Sequence, residues 1–274
     1  MTPINTSSTK KQSTVSADDF EDDFVEEEVY SDTNPVDEED MTTTTGKRKA
    51  DQDTKKKKNK KNKKKKSSQD PYHGIKIWTE SPSVQAEYVM DRLKQALPSL
   101  TPLETMEITP EAIVDNTKFK QEHTMDALPN YVKFAVMRHK NLNKKPTGLG
   151  SPMAIIVTHA AMRAADLSRG LKTLATTARI AKLFAKHIKI QEQADLLNNT
   201  AIHLAVGTPQ RLLALIEQGH LKLDQLEVLV MDTDTSKGNY NLMEQLSGRE
   251  PLFTLLNTYI APRMQAGTSK LALF

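Results

Sequence analysis

The segment 202–216 constrains the fold of this chain more than any other part of the sequence. A mostly apolar run, 202–206, predicts a buried strand. Gly207 permits a tight exit from that strand, and Thr208-Pro209 is typical of the N-cap and first residue of a helix. The predicted helix has an apolar face formed by Leu212, Leu213 and Ile216. A strand, a tight turn and a capped helix in this order indicate an α/β protein.

The start of this helix is a candidate anion site. A helix N-terminus presents free backbone N–H groups and a positive dipole end, which suit a phosphate group. Arg211 lies in the first turn, where its side chain would reach a neighbouring phosphate oxygen. The alternative interpretation is that Thr208-Pro209 only caps a helix, as such pairs often do.

The remaining pattern from residue 153 onward alternates strands with helices. The predicted helices are 159–173, 176–187, 209–218 and 242–259. The predicted buried strands are Met153–Val157, Ile202–Val206, Leu226–Met231 and Ser269–Phe274. This alternation predicts a parallel sheet covered by helices on both faces. Ligands bind such sheets beyond the carboxyl ends of the strands, where Thr158-His159, Gly207-Thr208 and Asp232-Thr233-Asp234 fall.

The N-terminal half of the chain divides by composition. Residues 1–70 are rich in polar and charged residues and are predicted to be a disordered tail. Residues 71–150 are predicted to be a mixed helical extension that packs on the core domain, 151–274. Within the extension we expect a short strand or docking segment at 74–78. Helices are predicted at 82–97 and 130–140.

Charge is strongly segregated in the tail, although the formal net charge is only +3. Between Asp18 and Asp40 there are 13 acidic residues and no basic ones, and between Lys47 and Lys66 there are 13 basic residues and two acidic ones. The basic block is typical of a nuclear or nucleolar localisation signal or of a nucleic-acid arm. The alternative is a solubilising tail that folds back on the acidic block. The basic residues are Lys47, Arg48, Lys49, Lys55, Lys56, Lys57, Lys58, Lys60, Lys61, Lys63, Lys64, Lys65 and Lys66.

Other classes of protein are disfavoured. The chain contains no Cys, so there is no disulfide framework and no Cys-based metal site, and its seven His residues lack ligand spacing. No apolar run approaches the length of a membrane span, and the polar N-terminus is unlike a signal peptide. We therefore expect a soluble intracellular protein with no metal site and no membrane contact.

A second basic feature follows the first core strand. The segment 163–189 contains seven basic residues and one acidic residue, Asp166. If one helix persists there, Arg179, Lys182, Lys186 and Lys189 share a helix face that suits RNA. The alternative is a solvated helix face. Phe184 is expected in the core.

Residues 155–274 resemble the first RecA-like domain of a DEAD-box RNA helicase. The family's T-P-G-R element stands here as Thr208-Pro209-Gln210-Arg211. Its D-E-A-D element is Asp232-Thr233-Asp234-Thr235, so Thr233 replaces the catalytic Glu. The P-T-R-E-L-A region, which begins at about Thr158, lacks the family's Pro, Arg and Glu, and Arg163 lies a few places late.

The resemblance implies a helicase fold without helicase chemistry. A Walker A loop needs G-x-x-x-x-G-K-[ST], and the nearest candidate, 147–151, has no Lys. Without the carboxylate that Thr233 replaces, bound ATP would lack the group that orients the attacking water. Asp232 could hold a metal, but is better interpreted as a strand-end carboxylate that caps a turn. We therefore predict no catalytic residue, no cofactor and no enzymatic activity.

The acidic tail, the poly-Lys block, L-F-A-K-H-I-K at 183–189, V-G-T-P-Q-R and the final L-A-L-F together resemble the Cms-one family. This resemblance implies a single incomplete RecA-like domain in a ribosome-biogenesis factor of the nucleus and nucleolus. The implied partners are pre-ribosomal RNA and proteins of the U3-containing 90S small-subunit pre-ribosome, with no small-molecule substrate. The expected RNA-binding residues are Thr158, Arg163, Arg179, Lys182, Lys186, Lys189, Gly207, Thr208, Gln210 and Arg211.

Two other functions remain open from the sequence. One is an RNA-dependent ATPase of the DEAD-box type that another chain completes. The other is a pure protein scaffold, in which Thr208 and Arg211 contact a protein partner.

Overall fold

A computed structural model describes residues 70–235 and 241–274 of the chain. These residues form one five-stranded sheet in the order β2-β3-β1-β4-β5. All four neighbouring pairs of strands are parallel. The strands are β1 Ala154–Val157, β2 Ile180–Leu183, β3 Leu204–Gly207, β4 Val228–Met231 and β5 Lys270–Leu273.

Helices connect and cover the strands, as parallel pairing requires. The α-helices are α1 Pro82–Ala96, α2 Leu128–Ala135, α3 Ala161–Gly170, α4 Lys172–Ala175, α5 Ile190–Asn199, α6 Pro209–Glu217, α7 Leu246–Thr254 and α8 Ala261–Gln265. A π-helical turn, Leu255–Ile260, joins α7 to α8. Short 3₁₀ turns span Ile77–Thr79, Pro110–Ala112, Asn116–Lys118, Met125–Ala127 and His139–Asn143.

The sheet has an apolar core on each face, because successive side chains of a strand point to opposite sides. In β1, Ile155 and Val157 belong to one core, which also receives residues of α1, α5, α6, α7 and α8. Ala154 and Ile156 belong to the other core, together with residues of α2, α3 and α4. The predicted fold class, a parallel sheet covered by helices on both faces, is therefore confirmed.

The segment 71–150 contributes to both cores, since α1 packs on one face of the sheet and α2 on the other. It also extends the sheet at one point, where Ile113 forms a parallel bridge with Leu271 of β5. The boundary placed at residue 150 remains a prediction. The predicted tail and its basic block, 47–66, lie outside the described residues.

The helix predicted at 176–187 is wrong. Residues 180–183 form β2, and α5 begins only at Ile190. Ala, Lys and Leu favour helices in isolation, but in β2 Ala181 and Leu183 are buried while Lys182 is exposed. This alternation fits an edge strand, and pairing with β3 outweighs the weak helical propensity.

Other predicted elements differ mainly at their ends. The helix that begins at Pro82 is confirmed and ends at Ala96. The helix predicted at 130–140 is α2, Leu128–Ala135, and residues 74–78 form a turn and a 3₁₀ helix instead of a strand. In the part of the chain that the structure describes, no helix has both the length and the apolarity to cross a membrane.

Gly207 is required where β3 meets β2. A Cβ atom at this position would lie 2.4 Å from the carbonyl oxygen of Leu183 and 2.9 Å from a methyl group of Leu212. We expect Gly207→Ala to lower the free energy of unfolding by about 1–3 kcal/mol, because the backbone of β2 must move to admit the methyl group. Urea denaturation measures this change.

Gly248 in α7 provides a matched control, since a Cβ placed there has no atom within 4 Å apart from its chain neighbours and the nearby backbone of its own helix. Gly248→Ala should stabilise the protein by up to about 1 kcal/mol through helix propensity. Equal effects of the two substitutions would contradict the close approach of β2 and β3.

Candidate nucleic-acid interface

The carboxyl ends of β3, β1 and β4 lie side by side and bring three predicted segments together. The Thr158 N–H donates to the Gly207 carbonyl at 3.1 Å, and the Asp232 N–H donates to the Val157 carbonyl at 2.9 Å. The Thr208 N–H donates across to β2, at 3.3 Å from the Leu183 carbonyl. Thr158, Gly207-Thr208 and Asp232 therefore share one edge of the sheet, as the sequence predicted.

Asp232 is fully engaged at this edge. Its buried carboxylate accepts a hydrogen bond from the Thr158 hydroxyl at 2.7 Å. It also accepts two from Arg163, at 2.9 Å from Nε and 3.0 Å from Nη2. Arg163 extends from α3 and also pairs with Asp234 at 3.0 Å. This arrangement is a two-pronged ion pair, the strongest geometry between these groups.

The electrostatics of Arg163 follow from this pairing. Burial alone would lower the pKa of its guanidinium. The hydrogen bonds and charge of Asp232, with the charge of Asp234, outweigh burial and raise that pKa above its usual value. Arg163 therefore stays charged and its charge is neutralised inside the protein. Of the predicted RNA-binding residues, Thr158 and Arg163 both act within this cluster.

The degenerate D-E-A-D position has no free carboxylate at its second residue. Thr233 is buried, and its hydroxyl donates to the Phe274 carbonyl at 2.8 Å. The Thr233 N–H donates to the same oxygen at 2.7 Å. Thr235 is exposed. The hydroxyl of Thr233 therefore fastens the end of β5, and it has no acidic group to offer to water.

The Gly-containing loop 147–151 lies at the opposite edge of the sheet, because it precedes β1. Leu149 forms an antiparallel bridge with Ala201, just before β3. Gly150 adopts φ +63°, and a Cβ there would lie 2.5 Å from the His220 carbonyl. Its position, far along the strands from Asp232, excludes this loop as a phosphate loop for the same site.

A buried polar residue beside β5, Asn116, was not among the predicted site residues. Asn116 donates through Nδ2 to the Leu273 carbonyl at 2.6 Å and to the Trp78 carbonyl at 3.0 Å. Its Oδ1 accepts from the Tyr131 hydroxyl at 2.8 Å. The short apolar run 112–114 that precedes it was the only signal in the sequence. These bonds fix the chain that follows the Ile113 bridge.

A cleft of about 1050 Å³ lies beyond the ends of β4 and β5. One wall is a stack of three rings, in which His123 lies 4.1 Å from Trp78 and 5.0 Å from Phe274, centre to centre. Burial lowers the pKa of His123 to about 4, so its imidazole is neutral at pH 7. Asp234 and Arg163 also line this cleft.

The predicted basic helix face does not exist, because its members fall in different elements. Arg179 precedes β2 and therefore lies at the amino edge of the sheet, away from Thr208. Lys182 projects from the middle of β2. Lys186 and Lys189 lie in the loop 184–189 between β2 and α5, at the carboxyl edge. Of the four residues, only Lys186 and Lys189 lie at the same edge of the sheet as the start of α6. Phe184 is buried, as expected.

The expected cap of α6 needs correction, because Thr208 occupies the N-cap position but its side chain makes no capping hydrogen bond. Arg211 is half-buried, and its Nη1 donates to the Ile188 carbonyl at 3.1 Å and to Gln193 Oε1 at 2.7 Å. Gln210 is exposed. The loss of Thr208 should therefore affect stability less than a lost cap, and the loss of Arg211 should affect it more than a lost surface charge.

The ion pair of Arg163 with Asp232 can be tested by stability. Arg163→Met leaves a buried carboxylate without its cation, and we expect the free energy of unfolding to fall by about 3–5 kcal/mol. Adding Asp232→Asn should recover much of this loss, because the buried charge is then removed. Urea denaturation of both variants measures the difference.

Arg169→Met is the matched control, since Arg169 lies on the same helix in an exposed pair with Asp166. Its loss should cost at most about 1 kcal/mol. Equal costs for the two single substitutions would contradict the role given to Asp232.

Solved structures similar to this chain include DEAD-box proteins. The yeast splicing factor Prp28 matches 67% of this chain and 43% of its own, with 17% identity and a TM-score of 0.44. Saccharomyces cerevisiae Dbp5, in a complex with RNA and ADP BeF3, matches 73% of this chain and 45% of its own, with 14% identity and a TM-score of 0.38.

Curated relatives are more similar in sequence. Protein CMS1 of Chaetomium thermophilum is 37% identical over 147 residues, which are 52% of this chain and 59% of that protein. Human protein CMSS1 is 32% identical over 161 residues, 58% of each chain. The matches thus span somewhat over half the length of these relatives. The model of the family described as CMS1, U3-containing 90S pre-ribosomal complex subunit, matches residues 30–274, and the chain belongs to this family.

Proposed function

We propose that this chain is a non-catalytic RNA-binding subunit of the nucleolar, U3-containing 90S pre-ribosomal complex. The complex is the one in the description of its family. The RNA-facing surface is the carboxyl edge of β3 and β2, formed by the loop 184–189 and the first turn of α6, 208–211. We call this the β2–β3 surface.

The proposal rests on Arg211, whose charged side chain is half-buried and bonded only to neutral groups. Its hydrogen-bond partners are both uncharged oxygens, those of Ile188 and Gln193. Among the described residues, no carboxylate lies within ion-pair distance of its guanidinium. Burial lowers the pKa of the Arg211 guanidinium. A half-buried cation without an internal anion suits an external one.

The surroundings of Arg211 favour phosphate as that anion. The backbone of Arg211 lies in the first turn of α6, where the helix dipole adds positive potential. The loop 184–189 brings Lys186, His187 and Lys189 to the same edge. Polyphosphate backbones such as RNA bind clusters of this kind, largely through counterion release and without base readout.

The other half of the carboxyl edge supports a non-catalytic role. A carboxylate that binds a nucleotide metal must be free to coordinate it, whereas Asp232 is held by Thr158 and Arg163. The hydroxyl of Thr233 is bonded to Phe274. We therefore propose no ATP hydrolysis, no small-molecule substrate and no cofactor for this chain. The cleft beside Asp234 has no part in the proposed RNA contact.

RNA binding by the full-length protein tests the proposal. Arg211→Ala should weaken the binding of a labelled structured RNA by about tenfold at low salt, because a partly desolvated charged contact is lost. The slope of log affinity against log salt should become shallower by about one unit, as for one lost phosphate contact. Fluorescence anisotropy over a range of salt concentrations measures both.

Arg179→Ala is the matched control, because it removes the same side chain from the opposite edge of the sheet. It should leave affinity and salt slope near those of the parent, and added ATP should change neither. If both substitutions act equally, binding belongs to the basic tail and the β2–β3 surface is not the RNA site. If RNA does not bind and a pre-ribosomal protein does, the chain is a protein scaffold.

Nuclear and nucleolar location is part of the proposal and is assigned to the basic block 47–66. Deleting these residues should leave the protein in the cytoplasm, since the 13 basic residues of the block are then absent. Fluorescence microscopy of tagged protein measures the distribution. A deletion that still accumulates in the nucleus would show that another segment directs import.

A further inference from the structure

Gln193 in α5 is a polar side chain that the core almost completely encloses, with only 2% of its surface exposed. All of its hydrogen-bonding groups have partners across element boundaries. Its Oε1 accepts from Arg211 of α6 at 2.7 Å. Its Nε2 donates to the Lys182 carbonyl at 2.9 Å and to the Phe184 carbonyl at 3.0 Å. Nothing in the sequence pattern distinguished this residue.

The two carbonyls that Gln193 binds belong to the free edge of β2. The carbonyls of Arg179 and Leu183 point the other way and accept hydrogen bonds from the β3 side, from residues 203, 204 and 208. Lys182 and Phe184 alternate with these residues, so their carbonyls face away from β3. Gln193 therefore joins the outer edge of β2 to the first turn of α6.

The loop 184–189 is held at both ends by the same network. Phe184 is buried in the core and bonded to Gln193, while the Ile188 carbonyl accepts from Arg211. Between them His187 has φ +58°, the only positive φ at a non-glycine residue in the described ranges. A left-handed residue with a side chain costs free energy and persists only where the surroundings impose it.

We propose that Gln193 is a positioning residue of the β2–β3 surface. It fixes the position of Arg211 on one side and of the loop 184–189 on the other. This inference rests on the proposed function, RNA binding by that surface. Gln193 itself touches no RNA. It holds the guanidinium of Arg211 and the backbone that carries Lys186 and Lys189 at a constant spacing.

Only an amide can fill this position. The partners of Gln193 are one N–H donor and two carbonyl acceptors, so the side chain must both accept and donate. Glu would keep the bond to Arg211 but place a carboxylate against the carbonyls of Lys182 and Phe184. Leu would lose every bond and leave the same groups unpaired.

Two variants of the full-length protein separate these bonds. Gln193→Glu should free the loop while it retains Arg211, and Gln193→Leu should release both. Conformational exchange of the backbone at 185–189 on the microsecond to millisecond timescale, without RNA, should increase in both variants, as measured by NMR relaxation dispersion. RNA affinity should fall by about threefold to tenfold in Gln193→Leu, with the salt slope unchanged because no charge is lost.

Gln191→Leu is the matched control, because Gln191 is exposed on the same helix and bonds only to Asp195. It should change neither exchange nor affinity. The double variant Gln193→Leu with Arg211→Ala should bind RNA with an affinity within about twofold of that of Arg211→Ala alone. The two effects should not add, because both changes act through one network.

The outcomes separate the two proposals. If the parent protein binds no RNA, the proposed function fails, and exchange at 185–189 still reports whether Gln193 orders the loop. If the parent binds RNA and Gln193→Leu binds equally well, the positioning role is overturned. The positioning role is also overturned if exchange at 185–189 in both variants matches that of the parent. Should Gln193→Leu fail to fold, the exchange measured in Gln193→Glu still tests the inference.

Discussion

The ion pair between Arg163 and Asp232 divides the carboxyl edge of the sheet into two unlike halves. Asp232 directly follows β4, next to the central strand β1, and it is buried, so an unpaired carboxylate there would be costly. Arg163 supplies the counter-charge from α3, and Thr158 completes the shell of the carboxylate. The pairing therefore ties α3 to the end of β4 and neutralises the buried carboxylate.

The half of the edge formed by β3 and β2 is arranged in the opposite way. Arg211 is partly buried but bonded only to neutral oxygens, one of which is the Ile188 carbonyl of the loop 184–189. Gln193 links α6 to β2, because its amide bonds both to the guanidinium of Arg211 and to carbonyls at the free edge of β2. The same bonds cover carbonyls on an edge strand, where unpaired backbone groups invite unwanted pairing.

The sequence predicted those parts of the fold that depend on local pattern. The strand, glycine, Thr-Pro and apolar helix face at 202–216 are each visible within one segment, so β3 and α6 were predicted together. The prediction for 180–187 was wrong because its Ala, Lys and Leu residues favour a helix in isolation, whereas pairing with β3 makes residues 180–183 a strand. Because the helix predicted at 176–187 was wrong, the basic helix face predicted from Arg179 to Lys189 was wrong as well.

The functional groups that were missed are buried polar residues whose partners lie in other elements of the fold. Gln193 bonds to Arg211 in another element, and Asn116 bonds to Leu273, 157 residues away. A single sequence carries no signal for such bonds, because Gln and Asn are common on surfaces. The position of Asp232 was predicted, but the identity of its partner required the placement of α3.

Cross-linking in the native pre-ribosomal particle tests the central claim most directly. Ultraviolet irradiation of purified particles, followed by mass spectrometry of the peptides from this chain, identifies the residues that carry a cross-linked nucleotide. The account predicts nucleotides on peptides from the loop 184–189 and from 208–211. Peptides from both segments that cross-link only to protein, while nucleotides appear elsewhere on the chain, would contradict an RNA-facing β2–β3 surface.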